Sequence, residues 1–443
     1  MPDIWNTIFF SYLGIVRVRP WSFGFQTSPF RRLKEKYSTL HMSQVTDEIC
    51  GEVGQVSNSS RFDISSSPLY QDIFRLPQLP NGHFWSNMSS LAETMSQLKC
   101  INVPVPSFVA PLKTVGITYL HWPSRGQHRS LSNQERRPVI VLLHGFDCSC
   151  LEFRYLGPLL SDEGYDVYAP DILGWGFTQL EYVSNFSADA KIEALESFLR
   201  AVLLPNGDLE GKSDEQDARA GNNKTASSLA FRRTSSLVFT REKQKPTVDV
   251  CLVGASLGAA AAVDLCSRFC SPPINDRDIR VHSMVWISAQ VFLDGNLLRS
   301  VPLWWAKLLI PLLRVKQFRK IVDLLSIHDT KQYFDSLHEG NLALEAWNLQ
   351  SARTGWKEAM LSFFIAGGFN PSTKLDFCKK NVSAHLILSG SNDGILGDTF
   401  AHKLHAKLVN NSKLVWIAKC GHFPHIEHPH ATADAILEFL RNK

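Results

Sequence analysis

Val248 to Leu265 reads VDVCLVGASLGAAAAVDL, and three textures follow one another within it. VDVCLV is apolar and β-branched, the composition of a strand. Gly254-Ala255-Ser256-Leu257-Gly258 is a turn of small residues, and the Ala-rich run after it favours helix. Strand, G-x-S-x-G and helix in that order describe a nucleophile elbow, which holds its central serine in strained backbone geometry. Side chains at 254 and 258 would collide with the strand and helix, and glycine removes them. Ser256 is therefore expected to present its Oγ at the carboxyl edge of a sheet. The first N–H groups of the new helix point to the same place and favour an anion there.

Three further stretches lead to that edge. Pro138 to His144 (PVIVLLH) is continuously apolar, as a strand covered on both faces should be, and it ends in His144-Gly145-Phe146. Ser389-Gly390-Ser391-Asn392-Asp393-Gly394 directly follows the strand-like Ala384 to Leu388. Cys420-Gly421-His422-Phe423-Pro424 comes after Lys413 to Ile417, the last strand of the chain. The order Ser256, Asp393, His422 matches a known order of nucleophile, acid and base. A serine hydroxyl is a poor nucleophile at neutral pH. His422 would take its proton, and Asp393 would set the imidazole tautomer and stabilise the imidazolium. The backbone N–H groups of Phe146 and Leu257 would form the oxyanion hole, worth about 3 kcal/mol per donor. Asp398 is the second candidate acid, but it falls where a helix begins.

The remaining pattern alternates. Strands are expected at Val115 to Trp122, Tyr165 to Pro170 and Val281 to Ser288. Helices are expected at Cys150 to Leu160, Ser187 to Leu204 and Ala433 to Leu440. This predicts an α/β fold with a mostly parallel, doubly wound sheet. Asp171 opens a Gly-rich loop through Thr178 and is expected to shape it by hydrogen bonding. Residues 290–356 contain helical segments without a convincing strand, and are read as a helical cap. In it Trp304, Trp305, Leu308, Leu309 and Leu312 recur at helical spacing, with Pro302 and Pro311 dividing the run. Trp304 and Trp305 are expected to line an apolar substrate pocket; the competing reading makes them packing residues.

LLHGFDCSCLEFRY, DILGWGF, GASLGA and CGHFPHIEHP together resemble the α/β-hydrolase superfamily in its serine-triad, helical-cap form, and more narrowly its plant and algal plastid members. The resemblance spans about Leu112 to Lys443. It implies Ser256 as nucleophile, Asp393 as acid and His422 as base, with Phe146 and Leu257 as oxyanion donors and no cofactor. A serine at the elbow argues against epoxide and haloalkane hydrolases of this fold, which use aspartate. The expected activity is hydrolysis of an ester-type bond in a hydrophobic small-molecule or lipid-like substrate. The alternative is a non-hydrolytic member, an acyltransferase or a binding or scaffold protein.

Composition bounds the rest. At 443 residues, 44% hydrophobic and 20% charged, the chain reads as a soluble globular protein with room for one large domain and extensions. A net charge of +4 requires neither nucleic acid nor an anionic membrane as a partner, and peripheral membrane contact stays open. No stretch reaches the length of a clean apolar span. Nine cysteines without a spaced framework read as free thiols. His422, His425, His428 and His430 are dense, but Pro424 and Pro429 interrupt helical presentation, and no metal site is expected.

Residues 1–105 are read as a targeting segment and poorly ordered arm, ahead of a hydrolase domain over 106–443. From Ile4 to Lys34 there is no acidic residue, while arginines alternate with aromatic and hydroxyl residues. That favours a plastid transit peptide, with mitochondrial or cytoplasmic location as alternatives. Residues 205–246 are polar and long for a connection between a helix and its strand, and are read as a disordered insertion.

Overall fold

The computed structural model describes residues 89–125, 137–204, 247–271, 278–292, 302–330 and 350–442. The expected transit segment, the 205–246 insertion and parts of the cap lie outside them. A short helix, α1 (Ser89–Ser96), leads into β1 (Lys99–Pro104), β2 (Thr114–Trp122) and β3 (Val139–Leu143). A 3₁₀ turn (Cys150–Phe153), α2 (Leu156–Asp162), β4 (Val167–Pro170) and α3 (Ala188–Leu203) follow. Then come β5 (Val248–Ala255), α4 (Gly258–Cys270) and β6 (Ile279–Ile287).

Among the described residues the sheet has eight strands in the order β1-β2-β4-β3-β5-β6-β7-β8, where β7 is His385–Gly390 and β8 is Ser412–Ile417. The β1–β2 and β2–β4 pairs are antiparallel, and every other pair is parallel. β4 and β5 flank β3 on opposite sides, so the winding direction reverses there. Such a reversal opens a crevice outside the carboxyl ends of the strands. Parallel pairing also brings the ends of β3, β5, β7 and β8 to one edge.

The central strands are apolar because both faces are covered. The last six residues of β5 and all of β7 are buried. Ala259 to Val263 of α4 are buried against the sheet, where small side chains let the helix approach closely. A Cβ at Gly258 would lie 2.2 Å from the Leu143 carbonyl oxygen, and one at Gly254 would lie 2.4 Å from Ala259 Cα. Both glycines of the elbow are thus required by backbone contact.

Two boundaries differ from expectation. The sheet begins at Lys99, ahead of the 105/106 boundary. β1 is an edge strand with Lys99, Asn102 and Pro104 exposed and only Val103 buried, so it lacks the apolar run of an interior strand. The helix expected over Cys150 to Leu160 is broken into a 3₁₀ turn and α2. The start of α2 packs on β2 so closely that a Cβ at Gly157 would fall 2.4 Å from the Trp122 ring.

Between β6 and β7 the described chain is helical. It comprises α5 (Leu303–Leu309), a 3₁₀ turn (Ile310–Arg314), α6 (Lys316–Ser326), α7 (Trp356–Ala366) and α8 (Ser372–Asn381). Pro302 caps α5, and Pro311 stands in the first turn of the 3₁₀ segment, so the prolines divide the run. After β7 come α9 (Gly397–Leu408), β8, a single turn α10 (Pro424–Glu427) and α11 (Pro429–Arg441). The eight cysteines among the described residues are all free thiols.

Candidate active site

Ser256 has φ 48°, in the left-handed region that a non-glycine residue adopts only under constraint. Its N–H donates to the Ile287 carbonyl and its own carbonyl accepts from Gln290 N–H, so both peptide groups are tied to the chain leaving β6. The strained turn lifts the side chain out of the sheet edge. Ser256 Oγ lies 3.0 Å from His422 Nε2, and His422 Nδ1 lies 2.9 Å from Asp393 Oδ2. Asp393 Oδ1 accepts from the N–H groups of Ile395 and Leu396 at 2.9 and 3.0 Å. Burial would raise the Asp393 carboxyl, but the His422 charge and hydrogen bond, with those two amides, outweigh it and hold it below the usual aspartate range. A hydroxyl, an imidazole and an oriented carboxylate in this chain can move the serine proton to His422.

The His144-Gly145-Phe146 loop closes the other side. A Cβ on Gly145 would lie 3.4 Å from Ser256 Cβ, so the loop runs directly past the serine. Among the described residues neither Phe146 N–H nor Leu257 N–H has a protein acceptor, and Leu257 opens the turn into α4. His144 anchors the loop: its Nε2 accepts from Ile172 N–H, which leaves Nδ1 to donate to the Gly145 carbonyl. Asp171, fully buried, accepts from Cys150 N–H at 2.6 Å and Phe177 N–H at 2.7 Å. It shapes the Gly-rich loop and does not reach the His422 pair. Burial raises its carboxyl above the ordinary range against the pull of His144 and these amides.

The sequence matches the model of the alpha/beta hydrolase family over residues 140–435, well over half of the chain. The chain belongs to the alpha/beta hydrolase family. The matched stretch includes Phe146, Ser256, Asp393 and His422. Over 313 residues it is 26% identical to "Alpha/beta hydrolase domain-containing protein VTE7" of Arabidopsis thaliana, covering 70% of this chain and 76% of that protein. A thermophilic esterase from Thermogutta terrifontis shares the fold with a TM-score of 0.52 at 15% identity, covering 78% of this chain and 98% of its own. Esterase EaEST from Exiguobacterium antarcticum aligns with a TM-score of 0.50 at 13% identity, over 77% and 100%.

In this hydrolase the structure adds residues that the sequence reading did not single out. Asp147, next to Phe146 and itself at φ 50°, is buried. Its Oδ2 accepts from Arg319 Nη2 of α6 at 2.6 Å, and its Oδ1 from Trp356 Nε1 of α7 at 2.8 Å. Gln350 Nε2 donates to its carbonyl. The cap is thereby bonded to the loop beside Ser256. On the far side, Glu152 Oε1 lies 2.9 Å from His425 Nε2, while Glu152 Oε2 accepts weakly from Gly145 N–H at 3.4 Å. His425 therefore packs behind the loop. His428 Nε2 donates to the Lys419 carbonyl. Among the described residues no cluster of three or more His, Cys, Asp or Glu is arranged to hold a metal.

Trp304 and Trp305 are a correction. α5 turns Ala306 inward, followed by Ile310 and Leu313, whereas Trp304 is 62% and Trp305 42% exposed. Their rings pair with each other at 4.9 Å between centroids. Helical spacing predicted a single apolar face; the protein uses the opposite one. The aromatic groups beside the loop are instead Phe146, Trp175 and Phe364, with edge contacts of 5.4 and 5.9 Å from Phe146 to the other two. Phe146 is marked by its place in the His144-Gly145-Phe146 motif, whereas Phe364 carries no such signal, because it lies far from that motif in the chain.

Proposed function

We propose that this protein is a serine hydrolase that cleaves an ester-type bond of a hydrophobic small-molecule or lipid-like substrate. The observation that carries the reading is the Ser256–His422–Asp393 hydrogen-bonded chain on a left-handed serine, faced by two amides with free N–H groups. His422 would accept the Ser256 proton as Oγ attacks the carbonyl carbon. The developing oxyanion would take hydrogen bonds from Phe146 and Leu257 N–H, each worth about 3 kcal/mol in the transition state. His422 would then return the proton to the leaving alcohol, giving an acyl-enzyme. Water would repeat the sequence and release the acid.

Preference for an apolar substrate is supported by the half-buried Phe146 ring and by Trp175 and Phe364 packed against it, which would favour a chain or ring over a polar group. The family membership supports hydrolysis at the coarser level. Plastid import is supported by the acid-free Ile4 to Lys34 stretch and by a plant relative; a fluorescent fusion of the first hundred or so residues would test it.

Ser256→Ala is the deciding variant, since it removes one hydroxyl and keeps the backbone. A fluorophosphonate probe should label the native chain and not the variant, and ester turnover should vanish with unchanged circular dichroism. Labelling that persisted in the variant would remove Ser256 from the nucleophile role. Product analysis with an added alcohol would show whether water or an alcohol accepts the acyl group.

A further inference from the structure

Two helices between β6 and β7 carry their apolar faces outward. Among the described side chains of α6, Arg319 and Ser326 are buried, one above the other on the same side. Ile321, Leu324 and Leu325 lie across the helix from them and are 54%, 43% and 39% exposed. α5 repeats the arrangement, with Ala306 inward and Leu303, Trp304 and Leu308 outward. Both helices pack on the 3₁₀ turn between them, where Leu312 is also exposed. Nine of the fourteen large apolar side chains exposed among the described residues fall in residues 303–325, so this is a patch and not ordinary scatter.

Charge separates the kinds of partner. Residues 302–325 contain Lys307, Arg314, Lys316, Arg319 and Lys320 against Asp323 alone. Arg319 is bonded to Asp147. Lys307 and Lys320 are exposed beside the apolar face. The small net charge of the whole chain conceals this local excess. A second copy of the same face would bring like charges together. An anionic bilayer satisfies both features at once: the apolar side chains enter the headgroup boundary, lysines meet lipid phosphates, and tryptophan rings settle at that depth. No described helix is long and apolar enough to cross a membrane, so the contact is with one leaflet.

We propose that residues 303–325 form a docking surface for an anionic lipid bilayer, with Trp304, Leu308, Ile321 and Leu324 inserted and Lys307 and Lys320 on the headgroups. Arg319 of the same helix is bonded to Asp147, so the docked surface is joined to the loop beside Ser256 through two side chains. The inference concerns binding and stands apart from the hydrolytic reading.

The test is cosedimentation of the full chain with vesicles of phosphatidylcholine alone and of phosphatidylcholine containing phosphatidylglycerol. The wild type should pellet with the second and much less with the first, and added salt should release it. Lys307→Gln/Lys320→Gln, an exposed pair of changes, should weaken binding about 25-fold, from about fivefold per lysine. Leu308→Ser/Ile321→Ser should lose most of the remaining affinity, with near-ultraviolet circular dichroism unchanged. Equal pelleting of wild type and the lysine variant, or no pelleting with either vesicle, overturns the proposal. So does a wild-type dimer in sedimentation equilibrium that Leu308→Ser/Ile321→Ser converts to monomer, since the face would then belong to a second copy.

Discussion

One carboxylate oxygen of Asp393 accepts from His422 and the other from two backbone amides, whereas Asp398, in the first turn of α9, is exposed and accepts from Thr399 at 3.4 Å. The two aspartates therefore make different predictions. Asp393→Asn should lower turnover by about 10⁴, the scale known elsewhere for a mis-set histidine tautomer. Asp398→Asn should leave it unchanged, and the reverse ranking in steady-state kinetics would displace Asp393 as the acid. A pH consequence follows from the depressed Asp393 carboxyl. Its folded pKa lies below its unfolded one, so its stabilising contribution is complete above the unfolded value of about 3.9 and is lost as the pH falls through the lower folded value. Urea midpoints of wild type and Asp393→Asn should therefore converge as the pH is lowered through that window. A gap that stays constant would mean that the carboxylate is not stabilised by folding.

At the level of elements, the bond between α6 and the loop after β3 matters most. Arg319 and Asp147 side chains are each only 6% exposed. Removing one member of such a pair leaves a buried charge without its partner, at a cost of about 3–5 kcal/mol, against under about 1 kcal/mol for a surface pair. Arg319→Met is expected to lower stability by that larger amount. It should also speed amide exchange in α6 ahead of the sheet, because the helix loses its anchor first. A loss in the surface-pair range, with exchange in α6 unchanged, would mean that the cap is held by packing alone. Asp147 could have been suspected from its place beside Phe146. Arg319 could not, since the bond spans 172 positions.

For the whole molecule, the direction of β5 sets where the chain after residue 246 joins the sheet. β5 runs from Val248 to Ala255, and Ser256 follows its last residue. Eight residues of strand extend about 26 Å, so the start of β5, Val248, lies at the edge of the sheet opposite Ser256. Replacing 205–246 with a short Gly/Ser linker should leave probe labelling and hydrolysis of a small soluble ester largely intact. Loss of both in a folded variant would show that the segment reaches the site or supports the sheet.

The elbow, the buried strands and the order of Ser256, Asp393 and His422 were legible in the sequence because each rests on local demands. Glycine is needed where backbone approaches backbone, apolar runs mark strands covered on two faces, and parallel strands bring their ends to one edge. Tertiary structure alone decided three other features. β1 joins the sheet as an edge strand, where partial exposure erases the apolar signal and pairing with β2 supplies the order. Asp147 meets Arg319 only because α6 packs against the loop after β3. Helical spacing in residues 303–325 revealed an apolar face, but periodicity carries no information on whether a face turns in or out. That choice is made by the partner each helix finds, and here Arg319 and Ala306 take the inner side.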